Sequence, residues 1–212
     1  MKTRKLLIAL VLGMGTATAW AGETEERPLY KDSLAPIESR VEDLLRRMTL
    51  HEKTLQLQNK PVGRIDEIES IFQGQSYGCT HEMGKTAEEC AGIYNELQKY
   101  MLTKTRLGIP ILTAVEGIQG ILQNNSTLFP HSIAQGSTFN PELIERMTDA
   151  AGKEAAAMGI HQVLSPVFDI ARELRWGRVE ETYGEDPFLI SEMGIGFVKG
   201  YQKHQILSLI HI

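Results

Sequence analysis

Apolar positions along the chain alternate between helical spacing and short unbroken runs. From Ala35 to Gln58, the residues Ile37, Val41, Leu44, Leu45 and Met48 recur at helical spacing, and Thr49 with Glu52 three residues on forms a capping box for a second helical turn. Residues 59–84 are irregular, with short strand candidates at Val62–Ile65 and Ile68–Phe72. Thr86 caps a helix predicted to run to Arg106, with Ala91, Tyr94, Leu97, Met101 and Leu102 on its apolar face, and Gly108 follows as a helix stop. Ile111–Val115 is an apolar run, read as a strand, that ends in Glu116 and Gly117. Asn140 and Pro141 occupy cap and first-turn positions of a helix reaching Gly159. His161–Asp169 (HQVLSPVFD) is the next strand, and Asp186-Pro187 opens a last helix to about Lys203. Apolar strands separated by helices predict an α/β fold with parallel pairing and helical cover, and both a barrel and a doubly wound sheet fit. No G-x-G-x-x-G or Walker loop follows either strand, which weighs against nucleotide binding.

The strand ends carry the chemistry. The segment from Leu164 to Tyr201 runs from a buried strand into Asp169, Arg172, Glu173, Arg175, Arg178, Glu180, Glu181, Glu185 and Asp186, interrupted by Trp176, Gly177, Tyr183, Gly184 and Pro187. Functional groups of parallel α/β folds sit at the carboxyl ends of strands. Vicinal hydroxyls donate and accept together, so a sugar needs a carboxylate, a guanidinium and an aromatic face near one another. Glu116 and Arg178 are the candidate ligand contacts. Asp169 and Arg175 are expected to be buried ions that lock the loop, the Trp176 ring to suit the apolar face of a pyranose, Glu181 to stand behind the ligand contacts or at a helix start, and Asp186 to cap the last helix.

Composition narrows the setting. The chain has 212 residues, a formal charge of −5 and 42% hydrophobic residues, with charges of both signs mixed along it, so no basic face for nucleic acid stands out. Lys2, Arg4 and Lys5, an apolar stretch from Leu6 to Gly15 and Ala19-Trp20-Ala21 read as a secretory signal peptide over residues 1–21. The apolar stretch is too short for a spanning helix, and no membrane association is expected after cleavage. Residues 22–34 read as a mobile arm. Cys79 and Cys90 are the only cysteines, and a disulfide and two free thiols are equally open. His81 and Glu82 lie nearby, but no ligand spacing supports a metal, and no cofactor is expected.

LSPVFDIARELRWGRVEETYGEDP resembles the signature of the family-three glycoside hydrolases, the β-glucosidase and β-xylosidase branch, in which a strand ending in P-V-x-D precedes R-W-G-R-x-x-E-x-x-G-E-D-P. IESRVEDLLRRMTLHEK, RLGIPILTAVEGIQG and TLFPHSIAQGSTFNPELI resemble further family segments in the same order. The resemblance covers nearly all of the chain after residue 21. It implies that residues 35–206 are the N-terminal portion of a (β/α)8 TIM-type barrel, incomplete in this chain. It also implies a retaining mechanism on an oligosaccharide or glycoside, with an Asp nucleophile and a Glu acid/base. Residue by residue, Glu116 falls where the family places a carboxylate on sugar hydroxyls, Arg178 on an arginine binding the same sugar, and Trp176 and Glu181 on positions supporting that loop. Gln119 stands where the family often has His.

The nucleophile and the acid/base fall in segments this chain lacks, so no catalytic residue is expected here and the fragment alone is expected to be inactive. Lys203-His204 imitates the family's sugar-binding Lys-His pair but falls too early, and is expected to be an exposed helix end. The closing LSLIHI is what a transposase end used in sequencing libraries encodes, so residues 207–212 are expected to be a non-native tail. The expected parent is an exported, periplasmic enzyme removing terminal β-D-glucosyl residues. The alternatives are a β-xylosidase or α-L-arabinofuranosidase, and a non-catalytic sugar-binding protein.

Overall fold

The computed structural model describes residues 28–209, so the expected signal peptide lies outside the described residues. The chain divides into a short N-terminal unit ending at Arg47 and a larger unit from Met48 onward. In the first, a 3-10 turn at Leu29–Lys31 precedes helix α1 (Ile37–Arg47). The Tyr30 amide donates to Asp43 (3.1 Å) and Arg40 Nε donates to the Tyr30 carbonyl (3.2 Å), so this part of the expected arm is held to α1. The amphipathic stretch from Ala35 to Gln58 divides at Thr49, where the capping box predicts a second start. Thr49 adopts extended backbone and caps a new start, and the capping box outcompetes continuation of α1.

The larger unit contains α2 (Leu50–Gln56), α3 (Ile68–Phe72), β1 (Cys79–His81), α4 (Ala87–Lys104), β2 (Leu112–Val115), α5 (Ser132–Gly136), α6 (Pro141–Ala157), β3 (Gln162–Val163), α7 (Pro187–Gln202) and β4 (Leu207–Ser208). The sequence signals for starts hold. Thr86 and Glu89 form the second capping box, at α4. Asn140 Oδ1 accepts from the Leu143 amide (2.9 Å) and Asp186 Oδ1 from the Phe188 amide (2.8 Å), each with proline at the first helical position.

Three strand expectations are corrected. Val62–Ile65 forms no strand and Ile68–Phe72 is helix α3. The strand that does form in this region is β1, whose short CTH segment has no apolar run to betray it. The strand predicted at His161–Asp169 pairs at Gln162 and Val163, flanked by His161 N donating to the Thr113 carbonyl (2.9 Å) and Leu164 N to the Val115 carbonyl (2.8 Å), and Pro166 then offers no amide to continue the ladder. At the helix end Lys203 is exposed, as expected, and His204 is half-buried; Lys203 Nζ meets Glu145 at 2.6 Å and His204 Nε2 meets Asp149 at 2.6 Å, joining α7 to α6. Leu207 and Ser208, expected in a non-native tail, form β4, where Leu207 N donates to the His161 carbonyl (2.8 Å).

The four strands pair in parallel in chain order, β1-β2-β3-β4, with helices between them. Successive neighbours without a reversal of order are what the start of a (β/α)8 barrel shows, whereas a doubly wound sheet reverses. Side chains alternate between the two faces. On one face Thr80, Thr113, Val115 and Val163 are fully buried. Val115 and Val163 join a core with Leu97 and Met101 of α4, Ile144 and Ala155 of α6, and Met193, Phe197 and Tyr201 of α7. Thr113 tolerates this burial because its hydroxyl donates to the Gly159 carbonyl at 2.6 Å. The other face carries Cys79, His81, Leu112, Ala114, Gln162 and Leu164, mostly half-buried. This is the face a closed barrel turns inward.

Helices α6 and α7 pack at glycines. A Cβ on Gly200 would sit 2.6 Å from the Glu145 carbonyl oxygen and 2.7 Å from the Asp149 amide nitrogen, both backbone atoms. Gly200→Ala is therefore expected to lower unfolding free energy by about 2 kcal/mol through overpacking. Gly92→Ala in α4, which meets only the Ile65 side chain at 3.8 Å, should raise it by up to about 1 kcal/mol through helix propensity. Chemical denaturation of the two variants checks the contrast.

Glu52 closes its capping box and also receives a bidentate grip from Arg106 (2.8 and 2.5 Å), joining α2 to the turn before β2. This grip holds the Glu52 carboxyl at about 2, below its ordinary 4.5. A depressed carboxylate stabilises the fold fully above the ordinary value, and the contribution is lost as pH falls through the folded one. Stability measured between pH 5 and pH 2 should fall less steeply in Glu52→Gln than in the unmodified protein.

Candidate functional site

Glu116 comes directly after β2. The register sets His81 of β1 opposite Ala114 of β2, and Glu116 is two residues beyond Ala114, so His81 and Glu116 leave the sheet on the same, helix-free face. Gly117 has to be glycine: a Cβ there would lie 2.1 Å from Val163 Cγ1. This close approach lets the chain turn over β3 immediately after Glu116.

Three loops leave the carboxyl ends of β1, β2 and β3, and two buried glutamines tie them together. Gln123, in the loop after β2, accepts from the Lys85 amide (2.7 Å) and donates to the Glu82 carbonyl (2.8 Å), both in the loop after β1. Gln135 of α5 donates to the carbonyls of Ile118 (3.2 Å) and Pro130 (2.7 Å) in the loop after β2. Its Oε1 accepts from the Tyr183 hydroxyl in the loop after β3 (3.3 Å). Gly136 allows the backbone of Tyr183 to approach, since a Cβ there would sit 2.6 Å from its carbonyl oxygen. At Gln119 the loop is closed by a main-chain bond, Phe129 N donating to the Gln119 carbonyl at 2.8 Å.

The loop after β3 closes on itself through Ala171 N donating to the Gly184 carbonyl (3.0 Å) and contains a 3-10 turn at Val179–Glu181. That turn brings Glu181 against Arg178 in a bidentate pair, Nε to Oε1 at 2.8 Å and Nη2 to Oε2 at 2.5 Å. Arg178 lies within electrostatic reach of Glu116 and Asp169. Glu116 is half-buried, and its carboxylate accepts no hydrogen bond among the described residues. Burial raises its carboxyl above the usual carboxylate range, His81 and Arg178 oppose that push, and Glu181 reinforces it. The site therefore pairs a desolvated acceptor with an oriented guanidinium across a gap wider than an ion pair.

Of the residues expected from the sequence, the structure brings Glu116, Arg178, Glu181 and Asp169 together. Trp176 is half-buried on the same loop. Arg175 is the exception: its side chain is 89% exposed and pairs with Glu173 (2.7 Å), two residues earlier in the chain, so it is a solvated ion pair rather than a buried lock. The arginine fork finds an acceptor two residues away and needs no interior partner. The sequence suggests nothing for His81 beyond metal binding; the signal that finds it is the parallel pairing of β1, which a three-residue strand hides. Cys79 and Cys90 are free thiols, and burial pushes the Cys90 thiol up to about 11. No helix among the described residues is long and apolar enough to cross a membrane.

The parallel strands place an acid and an arginine at adjacent strand ends. Residues 49–211 match the glycosyl hydrolase family 3 N-terminal domain, and the chain belongs to that family. It is 32% identical over 82% of its length to β-glucosidase C of Emericella nidulans, covering 31% of that protein. It is 43% identical over 46% of its length to a β-xylosidase of Formosa agariphila, covering 14% of it. A solved β-glucosidase structure from Erythrobacter marinus superposes with a TM-score of 0.71 at 29% identity, over 82% of this chain and 24% of that one. The chain thus spans less than a third of the length of these relatives. The four strands are the N-terminal portion of a TIM-type barrel.

Removing the shared amide should loosen the loops without unfolding the sheet. Gln135→Ala is expected to cost about 1–3 kcal/mol of stability. It should also speed amide exchange at Ile118–Gly120 and Thr182–Gly184 more than in β2, as hydrogen-exchange mass spectrometry would show.

Proposed function

We propose that this chain is the sugar-binding N-terminal portion of an exported glycoside hydrolase that removes terminal β-D-glucosyl residues by a retaining mechanism. The observation that carries the reading is the convergence of Glu116 and Arg178 from neighbouring strand ends, one as acceptor and one as donor, on a shared space. In such a site Glu116 accepts from sugar hydroxyls and Arg178 donates to them, while Glu181 fixes the guanidinium and Asp169 completes the charge balance. Partial desolvation strengthens these bonds relative to the same groups in water. A retaining reaction further needs a carboxylate nucleophile and a carboxylic acid/base flanking the scissile bond, and both roles fall to the remainder of the protein. Export is supported by the n-region, apolar stretch and Ala19-Trp20-Ala21 site; a relative from Salmonella typhimurium, 33% identical over 76% of this chain and 20% of its own length, is described as a periplasmic β-glucosidase.

A second reading, β-xylosidase, is favoured by Glu116 itself. Glutamate reaches one methylene further than aspartate, into the space a hydroxymethyl group on a glucoside would occupy. Discrimination by one methylene is worth about 10–200-fold.

Expressed as the whole protein, Glu116→Ala and Arg178→Ala should each lower kcat/KM on an aryl β-glucoside by at least about tenfold, as loss of a charge-assisted hydrogen bond requires. Wild-type turnover that neither substitution affects would contradict the reading. A kcat/KM on the aryl β-xyloside exceeding that on the aryl β-glucoside would decide for the second.

A further inference from the structure

His81 and Glu116 leave adjacent parallel strands on one face; His81 carries a buried ring nitrogen without a partner, and Glu116 a half-buried carboxylate that accepts no hydrogen bond from the described residues. His81 Nε2 is closed off from solvent and has no partner among the described residues. The Glu116 carboxylate accepts no hydrogen bond there either. Seven side-chain polar atoms among the described residues are buried without a partner, and His81 Nε2 is the only nitrogen among them; leaving it unpaired costs about 1–3 kcal/mol. The two groups are chemically complementary, an imidazole N–H and a carboxylate, and lie within electrostatic reach of each other. The other groups acting on Glu116 come from the loop after β3, Arg178 attracting and Glu181 repelling. Since Arg178 is already oriented by Glu181, His81 is the group left to orient Glu116.

We propose that His81 is a positioning residue for the sugar site: its Nε2, unpaired in this structure, is the donor that takes up one Glu116 carboxylate oxygen when the other is presented to a sugar hydroxyl. The role rests on the reading of Glu116 as a sugar ligand. Loop closure through Gln123, which joins the segment directly after His81 to the loop after β2, keeps the two strand ends at a fixed separation. The sheet alone does not require a histidine at this position, because the neighbouring residues on that face, Leu112 and Ala114, are apolar.

The test is a double-mutant cycle in the whole protein, read as kcat and KM on aryl β-glucoside and β-xyloside. His81→Phe keeps the ring volume without the donor, and His81→Gln keeps a donor. His81→Phe should lower kcat/KM about tenfold, chiefly through KM, and His81→Gln should stay within about threefold of wild type. In a Glu116→Gln background, His81→Phe should cost less than about threefold, because the partner it orients is already altered. Equal losses in both backgrounds, or no loss in either, would overturn the assignment while leaving the sugar site intact. A wild-type protein without turnover on either glycoside would overturn the site and this role together. A His81→Phe protein that fails to fold leaves His81→Gln and a smaller His81→Ala variant to read the same cycle.

Discussion

Gln123 and Gln135 carry no reacting groups, yet the arrangement of the site rests on the hydrogen bonds their amides make. Strand pairing aligns the carboxyl ends of β1, β2 and β3, but it leaves the connecting loops unconstrained: the loop after β2 runs from Glu116 into α5 at Ser132, and the loop after β3 from Leu164 into α7 at Pro187. Loops of this length ordinarily sample many conformations. Here each glutamine is almost fully buried: Gln123 binds the loop after β1 through both its donor and its acceptor, and Gln135 joins the loop after β2 to the loop after β3. A buried amide that lost one partner would leave the other exposed to the full desolvation penalty, so the loops move together or not at all. That shared constraint holds Glu116 and Arg178 at a fixed separation.

The electrostatics arise from the same geometry. Glu116 is half-buried at the strand end and is not compensated by a direct ion pair among the described residues. It sits between the attraction of Arg178 and His81 and the repulsion of Glu181. Arg178, by contrast, is charge-balanced by Glu181 and held in place by it. An acceptor short of donors beside a donor set in place is a poor arrangement for an empty site and a good one for a neutral polyol, which supplies hydroxyls in both roles. A bare ion pair would satisfy both groups and leave nothing to bind.

Much of this is legible in the sequence, and the reasons are local. Capping boxes at Thr49 and Thr86 and the Asn140-Pro141 and Asp186-Pro187 starts are short-range chemistry, so the helices appear where those residues stand. Glu116 and Arg178 stand out because each lies within or beside a dense motif. The strands are harder to read. β1 has three residues and a polar sequence, and β3 pairs at two positions although its apolar run is longer; both are decided by neighbours distant in the chain. Arg175 is misplaced by the sequence because charge density suggests burial where a neighbouring glutamate suffices. His81 escapes because its importance lies in register, which composition does not reveal. The clamp at Lys203 and His204 likewise depends on the approach of α6 to α7, governed by glycines at 152, 196 and 200.

The most direct test of the convergence is a crystal structure of the whole protein with glucose or xylose bound. The account predicts one monosaccharide hydrogen-bonded to both the Glu116 carboxylate and the Arg178 guanidinium, with Glu181 still paired to Arg178. A sugar seated in the barrel that touches neither side chain, or a Glu116 carboxylate turned away from it, would contradict the account.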